Sequence, residues 1–246
     1  MNELAYRANF WVQTFESVVQ GSVSLGAVAV VFSQTDELGG WRRPELLVLL
    51  GIYFIIAGMI RLVIGPSFSR FMEHVQQGTL DFTLTKPADA QMLVSIEVIQ
   101  IWKLLDVVLG IGVLALGAIQ LAERVGPAEA VSFVVALLCS GAIVYSFWLF
   151  LATLSFWFIR IENILMVLWG VYGAGRWPIQ IYPQWLRVVL TFLVPIAFAV
   201  TVPAQAFAGR LDQATLAGAV ALAVAMLVAS RAFWKIGVRH YAGASA

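Results

Sequence analysis

Residues 46–65, "LLVLLGIYFIIAGMIRLVIG", hold one charged side chain, Arg61, in twenty positions. A helix rises about 1.5 Å per residue, so such a run spans roughly 30 Å, the hydrocarbon thickness of a bilayer. Barrel strands alternate in polarity over about ten residues, and this run does not alternate. The stretch therefore predicts a transmembrane helix and makes the chain an all-α membrane protein.

The remainder agrees. Of 246 residues, 61% are hydrophobic and 12% charged, with a mean hydropathy of +0.89. Soluble domains carry about 25% charge, and half of that cannot clothe a globule of this length. Further apolar runs lie at about 15–32, 93–121, 130–156, 164–172 and 215–233, which predicts six spans in a single transmembrane domain, 1–246. In the first run Gly21, Ser22, Ser24 and Gly26 predict close helix packing. The N-terminus lacks a basic region followed by a short apolar core and cleavage site, so the first helix is expected to stay in the mature protein.

Residues 174–210 read differently. The apolar piece 186–200 has fifteen residues with Pro195 inside, about half of a crossing. Pro178, Pro183, Pro195 and Pro203 divide the segment into short helices. Trp177, Tyr182 and Trp185 suit a membrane interface. The expectation is a hairpin that dips in from the outer face before the sixth span. With six spans the termini share a side, which carries nine basic residues against six on the other. The excess predicts cytoplasmic termini.

The insert between the second and third spans carries the strongest local pattern. In "GPSFSRFMEHVQQG", residues 65–78, Phe68, Phe71, Met72 and Val75 share one helical face. Ser67 is the expected N-cap and Gly78 the expected stop. After Gly78, Leu80, Phe82 and Leu84 alternate with Asp81, Thr83 and Thr85, predicting an extended strap up to Lys86-Pro87. Periodicity leaves two roles open for the helix: lying on the lipid surface, or docking a soluble partner.

"QGTLDFTLTKP", 77–87, resembles the Gly-x-Leu-Asp-x-x-Leu-x-Lys/Arg-Pro pattern of ABC-2 type transporter permeases, matched by Gly78, Leu80, Asp81, Leu84, Lys86 and Pro87. Trp177-Pro178, Pro195 and Pro203 resemble that family's outer hairpin, and the order of spans is similar along the whole chain. The resemblance implies a coupling helix at about 66–90, received by a groove on a separate ATPase subunit, with Phe68, Phe71, Met72 and Val75 as anchors. It implies a second contact through Arg160 and Glu162. It further implies an exporter in the bacterial inner membrane, working as a homo- or heterodimer of permeases, with ATP and Mg held by the partner and no cofactor on this chain.

Ionisable groups inside spans are costly and default to functional candidates. Glu97, Lys103 and Asp106 fall in the third run, and Lys103 and Asp106 are spaced to pair. They define the alternative, an ATP-independent transporter with an ion or proton relay. Arg61 is expected to snorkel to the interface, and the loop charges Asp36, Glu37, Arg42 and Arg43 to be solvated. His74 and His240 are the two histidines and Cys139 the one cysteine, which excludes a multi-histidine metal site and a disulfide within the chain. There is no phosphate-loop motif and no nucleophile elbow, so neither ATP hydrolysis nor other catalysis is expected here. A net charge of +1 advertises no nucleic-acid face.

Overall fold

A computed structural model describes residues 2–121, 125–158 and 169–241. Five helices among them are long and apolar enough to cross a membrane. Helix α1, Asn2–Phe32, contributes Phe10–Phe32. A two-residue hairpin follows, β1 Glu37–Leu38 and β2 Trp41–Arg42, turned by Gly39 and Gly40. Both glycines have positive φ, 58° and 80°, as a tight turn between right-twisted strands requires. Asp36, Glu37, Arg42 and Arg43 are exposed around this turn, as expected of solvated loop charges.

Helix α2 runs unbroken from Arg43 to Gln77. Short helical turns α3, Asp81–Leu84, and α4, Ala90–Ser95, lead to α5, Ile101–Leu121. Helix α6 is Pro127–Phe156, and the last span, here α9, is Gln213–His240. The fifth expected span, 164–172, lies mostly outside the described residues. Between Gly173 and Phe207 come 3-10 turns, a helix α7 at 184–193, and α8, Ala197–Phe207.

The centre of the bundle is the pair α2–α5. Most of α2 is apolar on all sides and buried, as expected of a helix surrounded by others. Glycines bring the two backbones together: a Cβ on Gly51 would lie 2.4 Å from the Leu114 nitrogen, and one on Gly110 2.7 Å from that of Ile55. Small residues permit such contact where no water drives helices together. Helix α1 is peripheral instead. A Cβ on Gly26 would meet nothing within 4 Å, and one on Gly21 a single side chain at 4.0 Å. The small residues of the first span do not make the close seam.

Residues 173–210 form a hairpin anchored at one end of the bundle. Near its start Gln180 accepts a 3.2 Å hydrogen bond from the Trp41 indole. At its end Arg210 lies 5.3 Å over the Trp41 ring, donates to the Gly40 carbonyl at 2.8 Å, and pairs with Glu45 at 2.9 Å. Arms of ten and eleven residues rise about 15 Å each, too short to cross. At the tip Val194 is extended before Pro195, as the proline ring demands of its neighbour. Pro178, Pro195 and Pro203 are buried, and Trp177 is half-buried against the core.

The end of α9 falls at the opposite end, where the insert lies, with the Leu80 N–H donating to the Tyr241 hydroxyl, and midway along α1 Gln20 bonds Arg61.

Candidate functional site

The site is organised by a defect in α2. Residues Ile60–Ile64 form a π-helical turn, and Pro66 follows. Proline has no N–H, so the carbonyl four residues back, on Leu62, loses its helical donor. The backbone N–H of Gln100 takes that carbonyl at 2.8 Å. Ser67, fully buried, donates to the Val98 carbonyl at 3.0 Å and accepts from the Val98 N–H at 3.1 Å. Ser67 therefore does not cap a new helix; it bolts an irregular segment, residues 96–100, alongside the bulge. The expected third span accordingly begins at Ile101 rather than near residue 93, and Glu97 lies before it. Local π turns inside helices recur at functional sites.

Beside this bulge opens a cleft of about 1180 Å³. One wall is the i, i+4 stripe of α2, Arg61, Gly65, Ser69 and Glu73. Tyr53, Trp148 and Trp169 supply aromatic surface, and Lys103 and Arg176 add positive charge. Arg61 reaches Gln20 at 3.1 Å and Asp106 at 3.3 Å, and lies 5.4 Å over the Trp169 ring. It is a pinned member of an internal network rather than a snorkelling anchor. Lys103 meets Glu16 at 3.8 Å, so the expected Lys103–Asp106 pair does not form. Glu97 contacts His74 at 2.9 Å. The three acids and bases proposed as a relay are thus each engaged with a different partner.

The opposite face of α2 is sealed. Phe68, Phe71 and Met72 are fully buried and Val75 half-buried. Phe71 packs 5.0 Å from Trp234 of α9 and 5.5 Å from Phe156 of α6. Phe68 lies 6.0 Å from Tyr145. These side chains touch their own bundle and are not exposed to dock a partner. The expected separate in-plane helix is the last three turns of α2. Gly78 does end it, left-handed at φ 70°, where a side chain would be strained.

Beyond Gly78 the strap is helical rather than extended. Leu80, Thr83 and Leu84 face inward at i, i+3 and i+4, whereas Phe82 is 76% exposed. Helix propagation ends at Leu84, short of Lys86 and Pro87, both exposed. Asp81 is half-buried in the first turn of α3. Asp89 caps α4 by accepting from the Met92 N–H at 3.1 Å. The same carboxylate clasps Arg231 of α9, which also donates to Gln91 at 2.7 Å. That hydrogen bond from Arg231 holds the Asp89 carboxyl below its ordinary pKa. Tyr145 of α6 bonds both Gln91 at 3.0 Å and Ser95 at 2.8 Å. The insert is thereby fastened to α6 and α9 at once. Arg160 and Glu162 lie outside the described residues.

The sequence carries the polar stripe of α2 as Arg61, Gly65, Ser69 and Glu73, a four-residue repeat on the face opposite the apolar one. Arg176 and Trp169 carried no such signal, being far away in sequence.

Helices of membrane length around a polar internal cleft define a multi-pass membrane protein of the transport type. The sequence model of the ABC-2 family transporter proteins matches residues 18–245. The chain belongs to that family. No curated protein and no solved structure matches it. Among the described residues no group of three or more His, Cys, Asp or Glu could hold a metal.

Proposed function

We propose that the chain is the membrane-spanning subunit of an ATP-driven exporter, paired with a second permease and two ATPase subunits. The observation that carries this reading is an insert fastened to α6 and α9 yet presenting Phe82 and Met92 outward, 76% and 66% exposed. Large apolar side chains so placed on a rigid support suit the core of a partner interface, where aromatics and Met are enriched. The docking surface is accordingly Phe82, Lys86, Pro87 and Met92, with Phe68, Phe71 and Met72 as the packing beneath it. ATP and Mg would sit on the ATPase. Closure of the ATPases would push the insert, and the Asp89–Arg231 and Tyr145 contacts would pass that push to α9 and α6.

The insert end then faces the cytoplasm of a bacterial inner membrane, with both termini on that side. The excess of basic residues on the insert side supports this orientation. The hairpin would shape the exit at the other face. The test is co-purification with a candidate phosphate-loop ATPase co-expressed with this chain. Phe82→Asp with Met92→Asp should abolish the complex while leaving the chain folded in the membrane. Survival of the complex would sink this docking surface. Cargo movement driven by a proton gradient with the ATPase absent would sink the ATP-driven reading.

A further inference from the structure

We infer that the cleft beside α2 binds an anionic amphiphile, a phosphate- or carboxylate-bearing head joined to an aromatic or apolar body. As cargo, such a molecule rests on the transport reading; its binding does not. Charge makes the first argument. The lining carries four cations, Arg61, Arg70, Lys103 and Arg176, against one carboxylate, Glu73. Glu73 is already engaged, by Arg70 at 2.6 Å and Gln77 at 2.9 Å. Asp106, at 3.3 Å from Arg61, and Glu16, at 3.8 Å from Lys103, stand behind the lining and offset two more cations, which leaves Arg176 as the excess charge.

Arg176 is the decisive residue. Among the described residues it has no ion pair; its contacts are the Tyr53 hydroxyl at 3.3 Å and the Tyr53 ring at 5.5 Å. Tyr53 lies ten residues into α2, about 15 Å from its start, so the guanidinium sits well inside the apolar length of the helix. It is half-exposed to the cleft, and charges within membrane spans commonly face a cavity that carries a ligand or ion. A guanidinium's planar fork also matches phosphate and carboxylate oxygens in pairs.

Shape and lining complete the class. Small-molecule sites measure about 300–1000 Å³, and this cleft, at about 1180 Å³, exceeds them. Trp148 and Trp169 form a wall that an inorganic ion would leave unused. Head and body are both provided for.

The test uses the chain alone in phosphatidylcholine nanodiscs, with matched probes sharing one ring: 1-naphthyl phosphate, 1-naphthol and 1-naphthylmethylammonium. Equilibrium dialysis should show 1-naphthyl phosphate bound at least about tenfold more tightly than the other two, one charge-assisted contact amounting to about a decade in affinity. Arg176→Gln, which breaks no ion pair, should weaken the phosphate about tenfold and leave 1-naphthol unmoved. Arg176→Lys should lie between. A companion variant, Arg61→Gln with Asp106→Asn, removes a cation without stranding its partner and should weaken the phosphate as well. Nanodiscs containing phosphatidylglycerol separate the sources: competition assigns the head to a membrane lipid, and its absence to a free organic anion. Equal binding of the three probes, or Arg176→Gln matching the parent, overturns the inference. No ATPase is present, so failed coupling cannot mimic failed binding.

Discussion

Over residues 61–75 the two faces of α2 are built from opposite materials. One carries Phe68, Phe71 and Met72, sealed against Tyr145, Phe156 and Trp234. The other carries Arg61, Ser69, Arg70 and Glu73 around an open cleft. The sealed face joins three helices and the insert into one body. The open face pairs its own charges, Arg61 with Asp106 and Arg70 with Glu73, across a cleft that also receives Arg176. The two faces are segregated because a charge on the sealed side would be buried without compensation.

The sharpest way to break the contrast is to put such a charge on the sealed face. Phe71→Asp should leave no folded protein in membranes, read by size-exclusion chromatography in detergent. Phe71→Ala should cost about 3–5 kcal/mol, the range for a large side chain removed from a close-packed core, measured by thermal unfolding. Next in size is the network that bounds the open face. Arg61→Gln should cost about 2–3 kcal/mol by leaving the buried Asp106 unpaired, and the double change with Asp106→Asn should recover most of it. If the two single losses simply add, Arg61 and Asp106 are not coupled.

Ser67→Ala tests the bolt between the faces. It removes both hydrogen bonds to Val98 and strands a buried N–H and C=O, for about 1–3 kcal/mol. Proteolytic nicking within 96–100 should rise in parallel. The smallest effect belongs to the surface. Asp89→Asn should change stability within the range of about 0–1 kcal/mol of exposed ion pairs. Because Arg231 lowers the folded pKa of Asp89, that contribution is present above the unfolded carboxylate value, about 3.9. It is lost as pH falls through the still lower folded value. The parent–variant difference should therefore be flat from pH 5 to 8 and vanish in stronger acid.

Much of this architecture was legible. Gly78 announced its left-handed stop, and Val194-Pro195 its extended break, because glycine and proline act through their own backbones. The amphipathic face of 68–75 was correctly drawn, but its counterpart was not, since periodicity tells which side is apolar and not what covers it. The Lys103–Asp106 spacing misled for a similar reason: proximity on one helix lost to Glu16 and Arg61, which packing brought from other helices. Phe82 misled because alternating residues mimic a strand, whereas the inward set 80, 83 and 84 was helical.

By itself the sequence determined the class: uninterrupted apolar runs of membrane length are a local property that no packing can reverse. It determined the stop at Gly78 and the break at Pro195, which are equally local, but not the cap expected at Ser67 or the break expected at Pro203. The tertiary structure alone decided that Phe71 faces Trp234, that Gln100 takes the carbonyl Pro66 leaves open, and that Arg176 comes to Tyr53. Those pairings join residues up to 163 positions apart, and such partners are chosen by how helices pack, which no single stretch encodes.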